Sequence, residues 1–132
     1  KTIYPDALRQ LSNQPNRYNE TPLHWATDID AIKALIISGA DVNAQSVRGT
    51  TPLHWAANAQ IAQLLINNGA DPNARNDRGA TPLHWVESPE IAKTLIDNGA
   101  DINICDEDGE SPLDYAIANK NTSVADYLQS LT

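Results

Sequence analysis

The stretch TPLHWA at residues 51–56 decides the fold, because it recurs along the chain at a fixed period. It appears as TPLHWA at 21–26, as TPLHWV at 81–86 and in degenerate form as SPLDYA at 111–116, so each copy begins 30 positions after the last. A second block keeps the same period, with GADVN at 39–43, GADPN at 69–73 and GADIN at 99–103. Two motifs in phase with each other indicate a repeat architecture.

Each unit is predicted to contain two short antiparallel helices followed by an extended turn. The first helix begins at a Thr or Ser N-cap with Pro at its first position, at Thr21, Thr51, Thr81 and Ser111. The second helix begins at an Asp, Asn or Ser N-cap and ends at a glycine, a residue that readily adopts positive φ. The N-cap and the terminal glycine of the three helices are Asp28 and Gly39, Asn58 and Gly69, and Ser88 and Gly99. Since one unit cannot bury its own apolar face, the units must stack into an all-α solenoid.

Both motifs resemble the ankyrin-repeat family, whose signature is Thr-Pro-Leu-His-x-Ala followed by Gly-Ala-Asp-x-Asn. The resemblance implies an ankyrin solenoid of stacked helix-turn-helix units joined by extended turns, with four repeats over 18–132, at 18–47, 48–77, 78–107 and 108–132. Residues 1–17 lie outside it, and a short helix predicted at Pro5–Leu11 is either an N-terminal cap or the remnant of a preceding repeat. The last repeat is expected to act as a C-terminal cap, because Asp114 and Tyr115 break the motif and Lys120 falls where the family has glycine.

Three units are shorter than the family's usual length of about 33 residues. The spacing from Ser111 to Val124 matches that length, whereas the spacing from Thr51 to Ile61 is shorter. The first helix and its connection are therefore predicted to be trimmed in the first three units. Short units of this kind resemble those of ankyrin proteins from intracellular bacteria, which often contact host proteins.

The net charge, the hydropathy pattern and the cysteine count argue against several classes of function. A net charge of −8 would repel a phosphate backbone, so nucleic acid is not expected as a partner. No apolar stretch approaches the roughly 18 residues of a membrane span, and no signal peptide is recognisable. The single Cys105 cannot form an internal disulfide, which favours a reducing compartment. We therefore expect a cytoplasmic protein, monomeric by itself, with secretion into a host cell as an alternative.

The residues that could carry chemistry have simpler structural explanations. The family resemblance implies that His24, His54 and His84 bond the Thr of their own motif and the neighbouring turn. Equivalent histidines in adjacent units are also too far apart to share a zinc ion. The acidic run at 106–110 fails as a calcium loop, because Ile104 and Tyr115 fall where carboxylates are required. No catalytic, cofactor-binding or metal-binding residue is therefore predicted, and the domain is not expected to be an enzyme.

One aromatic ring recurs in each unit, at Trp25, Trp55, Trp85 and Tyr115. Its simplest interpretation is internal packing, since aromatic side chains bury a large area. Alternatively, part of this ladder lines the concave groove, where indole rings beside Asp28, Asp30 or Glu87 could hold a cation. That second interpretation makes the protein a reader of basic or methylated peptides.

The leading hypothesis is a protein-interaction module that docks a partner protein through its turn tips and concave helix faces. A third hypothesis is a targeting domain of a larger enzyme or of a secreted bacterial effector. Glycines at the turns shape the tips, with Asn19 in the equivalent place, and their neighbours are expected to make the contacts. Charge is polarised along the tips, with arginine in the middle and only acids at the last unit. The predicted partner-binding residues are Tyr18, Glu20, Trp25, Val47, Arg48, Thr50, Trp55, Asp77, Arg78, Trp85, Glu107, Asp108 and Glu110.

Overall fold

Helix pairs follow one another in a row along the chain, and a computed structural model describes them over residues 11–132. No strand occurs within that range. The elements are α1 (Pro22–Trp25), α2 (Ile29–Ile37), the 3-10 helix η1 (Pro52–Trp55), α3 (Ala59–Asn67), the 3-10 helix η2 (Pro82–Trp85), α4 (Pro89–Asp97), α5 (Pro112–Ala118) and α6 (Thr122–Ser130).

The helices are arranged in two layers. The first elements α1, η1, η2 and α5 lie side by side, and the second helices α2, α3, α4 and α6 do the same. Each unit therefore contacts its neighbours in the row, and the predicted all-α solenoid is confirmed.

The second helices begin at the predicted capping residues. The side chain of Asp28 accepts a hydrogen bond from the Asp30 N–H, that of Asn58 from the Ile61 N–H, and that of Ser88 from the Ile91 N–H. In the first three units the helix is followed, after its C-cap residue, by a glycine with φ near 100°. The sequence therefore predicted both ends of these helices correctly.

The first elements differ in length as the unit spacing predicts. Those of the first three units contain four residues each, whereas α5 contains seven. Lys120 follows α5 with φ 60°, so it takes the left-handed conformation that glycine would adopt more easily.

The core is continuous along the row because every unit supplies equivalent side chains. The leucine of each TPLH motif and the isoleucines Ile32, Ile61 and Ile91 of the second helices are at most 6 % exposed. The fourth unit contributes its own cluster, which shares the half-buried Val86, Ile96 and Tyr127 with the rest. The buried leucines and isoleucines of the first three units are Leu23, Ile32, Leu53, Ile61, Leu65, Leu83, Ile91 and Leu95.

A ladder of asparagine side chains links the turns of successive units. Asn43 donates to the Gly69 carbonyl over 2.8 Å and accepts from the Asp71 N–H over 3.0 Å. Asn73 forms the same pair of bonds with the next unit, and Asn13 forms it with Gly39 and Asp41. The ladder thus extends to the N-terminal side of the first predicted repeat. The helix predicted at Pro5–Leu11 lies outside the described residues except for Leu11.

Replacing Leu65 by Ala should lower the free energy of unfolding by about 2–5 kcal/mol, because the side chain is 1 % exposed and its removal leaves a cavity between α3 and its neighbours. Leu64→Ala on the same helix is the control, since Leu64 is only half buried. Urea unfolding monitored by circular dichroism measures both. Equal losses in the two variants would contradict the continuous core described above.

Candidate functional site

The motif histidines connect each unit to the turn that follows it. In the second unit the Thr51 N–H donates to Nδ1 of His54 over 3.2 Å, and Nε2 of His54 lies 2.9 Å from the Ala80 carbonyl oxygen. Because a carbonyl oxygen only accepts, Nε2 carries the proton and Nδ1 is the acceptor. The implied structural role of the histidines is therefore confirmed, and His24 and His84 make the same bonds to Thr50 and Glu110.

Burial keeps the rings of His54 and His84 neutral near pH 7. It lowers the pKa of His54 to about 4, although the bond to the Ala80 carbonyl opposes the shift. Burial also lowers the pKa of His84. Both nitrogens of each ring are occupied by hydrogen bonds, so neither ring offers a free lone pair to a metal or a substrate.

The turn tips form a hydrogen-bonded row, which we call the finger row. One backbone hydrogen bond joins each tip to the next, and the three bonds recur at the period of the repeat. They run from the Val47 N–H to the Tyr18 carbonyl over 2.7 Å, from the Asp77 N–H to the Arg48 carbonyl over 2.9 Å, and from the Glu107 N–H to the Arg78 carbonyl over 2.8 Å. Each finger is thus fixed to the next, and the side chains on it are held at a set spacing.

The predicted conformation of the finger turns is confirmed. Gly79 has φ 78°, and a Cβ placed on it would lie 3.2 Å from the Glu107 nitrogen of the next finger. Glycine is therefore required both by the backbone angle and by the close approach. Asn19 stands in the equivalent place of the first finger with φ 58°.

Two adjoining hollows lie between the finger row and the first elements, and together we call them the inner groove. The first has a volume of about 490 Å³ and the second about 360 Å³, and they share Arg48, Thr50 and Trp85. The first is also lined by Tyr18, Glu20, Ser46, Val47 and Trp55. The second is also lined by Asn76, Asp77 and Arg78.

Nine of the predicted partner-binding residues thus come together in the inner groove. Trp25 lies outside the two hollows, and Glu107, Asp108 and Glu110 lie on the fourth finger beyond them. Ser46 and Asn76 line the groove but were not predicted. Both occupy the position three residues before a finger glycine, where a side-chain oxygen closes the turn, and that position is the signal that could have found them.

Internal packing covers only part of the surface of the three tryptophans. Trp25 is 52 % exposed, Trp55 45 % and Trp85 37 %. In each four-residue first element the neighbouring Leu and His take the buried side, so the indole that follows them is directed outward. The Trp85 ring packs edge-on against His54 with the centroids 5.3 Å apart, which leaves part of the ring open to the groove.

Thr50 also requires a correction, because it is only 2 % exposed. Its carbonyl accepts from Nε2 of His24 and its N–H donates to Oγ of Ser46. Thr50 therefore forms part of the floor of the groove. Its side chain is not available for the predicted contact with a partner.

The acidic run of the fourth finger is organised around Asp106. One carboxylate oxygen of Asp106 accepts from the backbone N–H groups of Asp108 and Glu110, and the other accepts from the Tyr115 hydroxyl over 2.5 Å. The Tyr115 bond is the main reason that the pKa of Asp106 lies below its ordinary value. The oxygens of Asp106, Asp108 and Glu110 lie within 4.8 Å of one another, yet Asp106 is fully engaged in closing the turn.

Comparison with known proteins identifies one family. A model described as ankyrin repeats (3 copies) matches residues 27–106 and residues 53–131. A search of curated proteins finds no match to the chain. Within the described part of the chain, no helix has both the length and the apolar character needed to cross a bilayer.

Acidification should destabilise the protein through His54 and His84, whose pKa values are lowered by burial. The pKa of His54 is lower in the folded chain than the ordinary 6.5, so the unfolded chain binds the proton more readily. The stabilisation is complete above pH 6.5 and is lost as the pH falls to about 4, which amounts to about 3 kcal/mol for this ring. The pKa shift of Asp106 acts in the same direction, but only below about pH 4.

Urea unfolding between pH 7 and pH 4 measures this loss, and His54→Gln, which removes one titrating ring, should show a shallower dependence on pH. An NMR titration of the His54 ring with a midpoint near 6.5 would show that the ring is not held neutral by the fold.

Proposed function

Because the chain belongs to the ankyrin-repeat family, we propose that it is a protein-interaction module that docks a partner protein through the finger row and the concave faces of its first elements. Ankyrin repeats are generally non-catalytic modules that mediate binding between proteins. The second helices and the histidine bonds build the scaffold, and the proposal assigns the binding role to the residues left exposed on the inner side.

The observation that carries the proposal is the set of large apolar side chains exposed around the inner groove. Tyr18 is 57 % and Val47 62 % exposed, and Trp55 and Trp85 line the same hollow. Exposed apolar side chains that lie side by side in a concavity are typical of binding surfaces. Aromatic rings that are already fixed by their neighbours also lose little conformational entropy when a partner covers them.

The outer face of the second helices is chemically different. On α3 the amide of Gln63 donates to Asn67 and accepts from Asn98 of the next unit. On α4 the ammonium group of Lys93 pairs with Asp97 over 2.9 Å. These polar side chains bond each other, so this face favours contact with water and provides positions for control variants.

A second candidate function is supported by a hollow beside the inner groove. It has a volume of about 300 Å³, and its lining includes Trp55, Trp85 and Glu87. Two indole rings with a carboxylate could hold a methylated lysine through cation–π attraction. This function would make the protein a reader of modified basic peptides.

A trimethyl-lysine peptide should bind about tenfold more tightly than its unmodified form if this second function is correct, since cation–π contacts contribute about 1–2 kcal/mol. Fluorescence anisotropy measures both affinities. Glu87→Gln should remove the preference, while Glu90→Gln on the outer helix α4 should keep it. Equal affinities of the wild-type chain for the two peptides would eliminate this function.

The leading function is tested by affinity capture with a charge-reversed groove. Arg48→Glu combined with Arg78→Glu changes the net charge by −4 at two exposed residues of the inner groove. The matched control, Lys33→Glu combined with Lys93→Glu, makes the same change of charge on the second helices. Proteins retained by the wild-type chain and by the control should be lost from the groove variant, as measured by quantitative mass spectrometry.

Circular dichroism checks that both variants remain folded. Retention of the same proteins by all three chains would show that the inner groove is not the contact surface.

A further inference from the structure

The inner groove leaves two arginine side chains without an acidic partner. Among residues 11–132, Lys93 and Asp97 form the single ion pair. No carboxylate of these residues lies within ion-pair distance of Arg48 or Arg78. Arg75 provides a contrast, because its guanidinium donates to the carbonyls of Gly79 and Cys105 and so links two fingers. In the described part of the chain Arg48 and Arg78 thus form no ion pair, although Glu20 and Asp77 line the same hollows. They are cations in a chain whose net charge is −8.

Both arginines lie beside the exposed aromatic rings. Arg48 lines the first hollow with Tyr18 and Trp55, and Arg48 and Arg78 line the second with Trp85. A guanidinium at a groove that is partly shielded by indole rings is well placed to bind a carboxylate with two parallel hydrogen bonds. The groove therefore offers an apolar contact and an anion contact to the same ligand.

The charge reverses at the next finger. Glu107, Asp108 and Glu110 are exposed there, and the bonds that close the turn involve the backbone N–H groups of Asp108 and Glu110, so the carboxylates of all three residues face solvent. A ligand that lies along the finger row from Arg48 towards the fourth finger would thus meet Arg48 first, then Arg78 beside Asp77, and then acids alone. The acidic fourth finger also disfavours a polyanion such as nucleic acid.

The spacing of the units sets the length of the ligand. Neighbouring units are about 10 Å apart, which is the usual distance between packed helices. The fourth finger lies one unit from Arg78 and two units from Arg48, which corresponds to distances of roughly 10 and 20 Å. An extended peptide covers these distances with about three and six residues.

We propose that the inner groove binds an extended peptide segment of the partner in which a large apolar residue stands next to Asp or Glu, and Lys or Arg follows three to six residues away. The apolar side chain occupies the hollow at Trp55, the carboxylate pairs with Arg48 or Arg78, and the basic residue lies at the fourth finger. This inference rests on the proposed function and specifies the chemistry of the partner.

A methylated lysine is a poorer occupant of the first hollow, because Arg48 would repel a cation there. The hollow beside Glu87 lacks an arginine, and so the two kinds of ligand would occupy different places. Sensitivity to Arg48 therefore separates them.

Selection of a random 12-residue peptide library displayed on phage, with the whole chain as bait, tests the inference. Enriched peptides should combine an apolar and an acidic residue with a basic residue three to six positions away. Their synthetic forms, measured by fluorescence anisotropy, should bind Arg48→Glu/Arg78→Glu at least about tenfold more weakly than wild type. Lys33→Glu/Lys93→Glu should bind them like the wild-type chain.

A pair of tryptophan variants tests the position of the apolar residue. Trp55→Ala should weaken binding by about tenfold or more, whereas Trp25→Ala should have little effect, because Trp25 is exposed but lies outside the groove. Circular dichroism verifies that the variants are folded.

Three results would overturn the inference. They are enrichment of peptides without acidic residues, equal binding by the wild-type and arginine-reversed chains, and no enrichment at all. Each of these leaves the affinity-capture experiment free to show that folded proteins are lost from the charge-reversed groove variant, so the two proposals can fail separately.

Discussion

The bond from each motif histidine to the carbonyl at the base of the following finger is the constraint on which the rest of the structure depends. His54 accepts from Thr51 in its own unit and donates to Ala80 at the start of the next, so one ring holds a first element and a finger together. This geometry needs a neutral ring with a defined tautomer, and burial supplies that condition. The fingers are fixed as a consequence, and they then bond to one another.

The shortened first elements explain why this scaffold exposes its aromatic rings. With four residues available, the leucine and histidine of these motifs use the buried side, and the tryptophan is left at the end of the element. Trp55 and Trp85 line a hollow together with residues of the fingers. The Trp85 ring is supported by His54 and still open on the other side. The same histidine thus serves both the stack and the groove, which links the stability of the repeat to the shape of its binding surface.

The fold could be predicted from sequence almost completely, because each structural signal occurs several times in phase. The caps at Asn58 and Ser88 and the trimmed first elements followed from local residue types and spacing. The site was less predictable, since exposure depends on how neighbouring units lie against a side chain. Thr50 sits in a turn and is buried by the contacts with His24 and Ser46, whereas Trp55 is large and apolar and yet exposed.

An NMR titration tests most directly whether the inner groove is the binding side. The isotope-labelled chain is titrated with a captured partner, and the three indole N–H signals are followed. The signals of Trp55 and Trp85 should move while that of Trp25 moves far less, because only the first two line the groove. Unchanged indole signals, together with shifts confined to the backbone of α3 and α4, would place the contact on the outer helices and show that the inner groove is not the binding side.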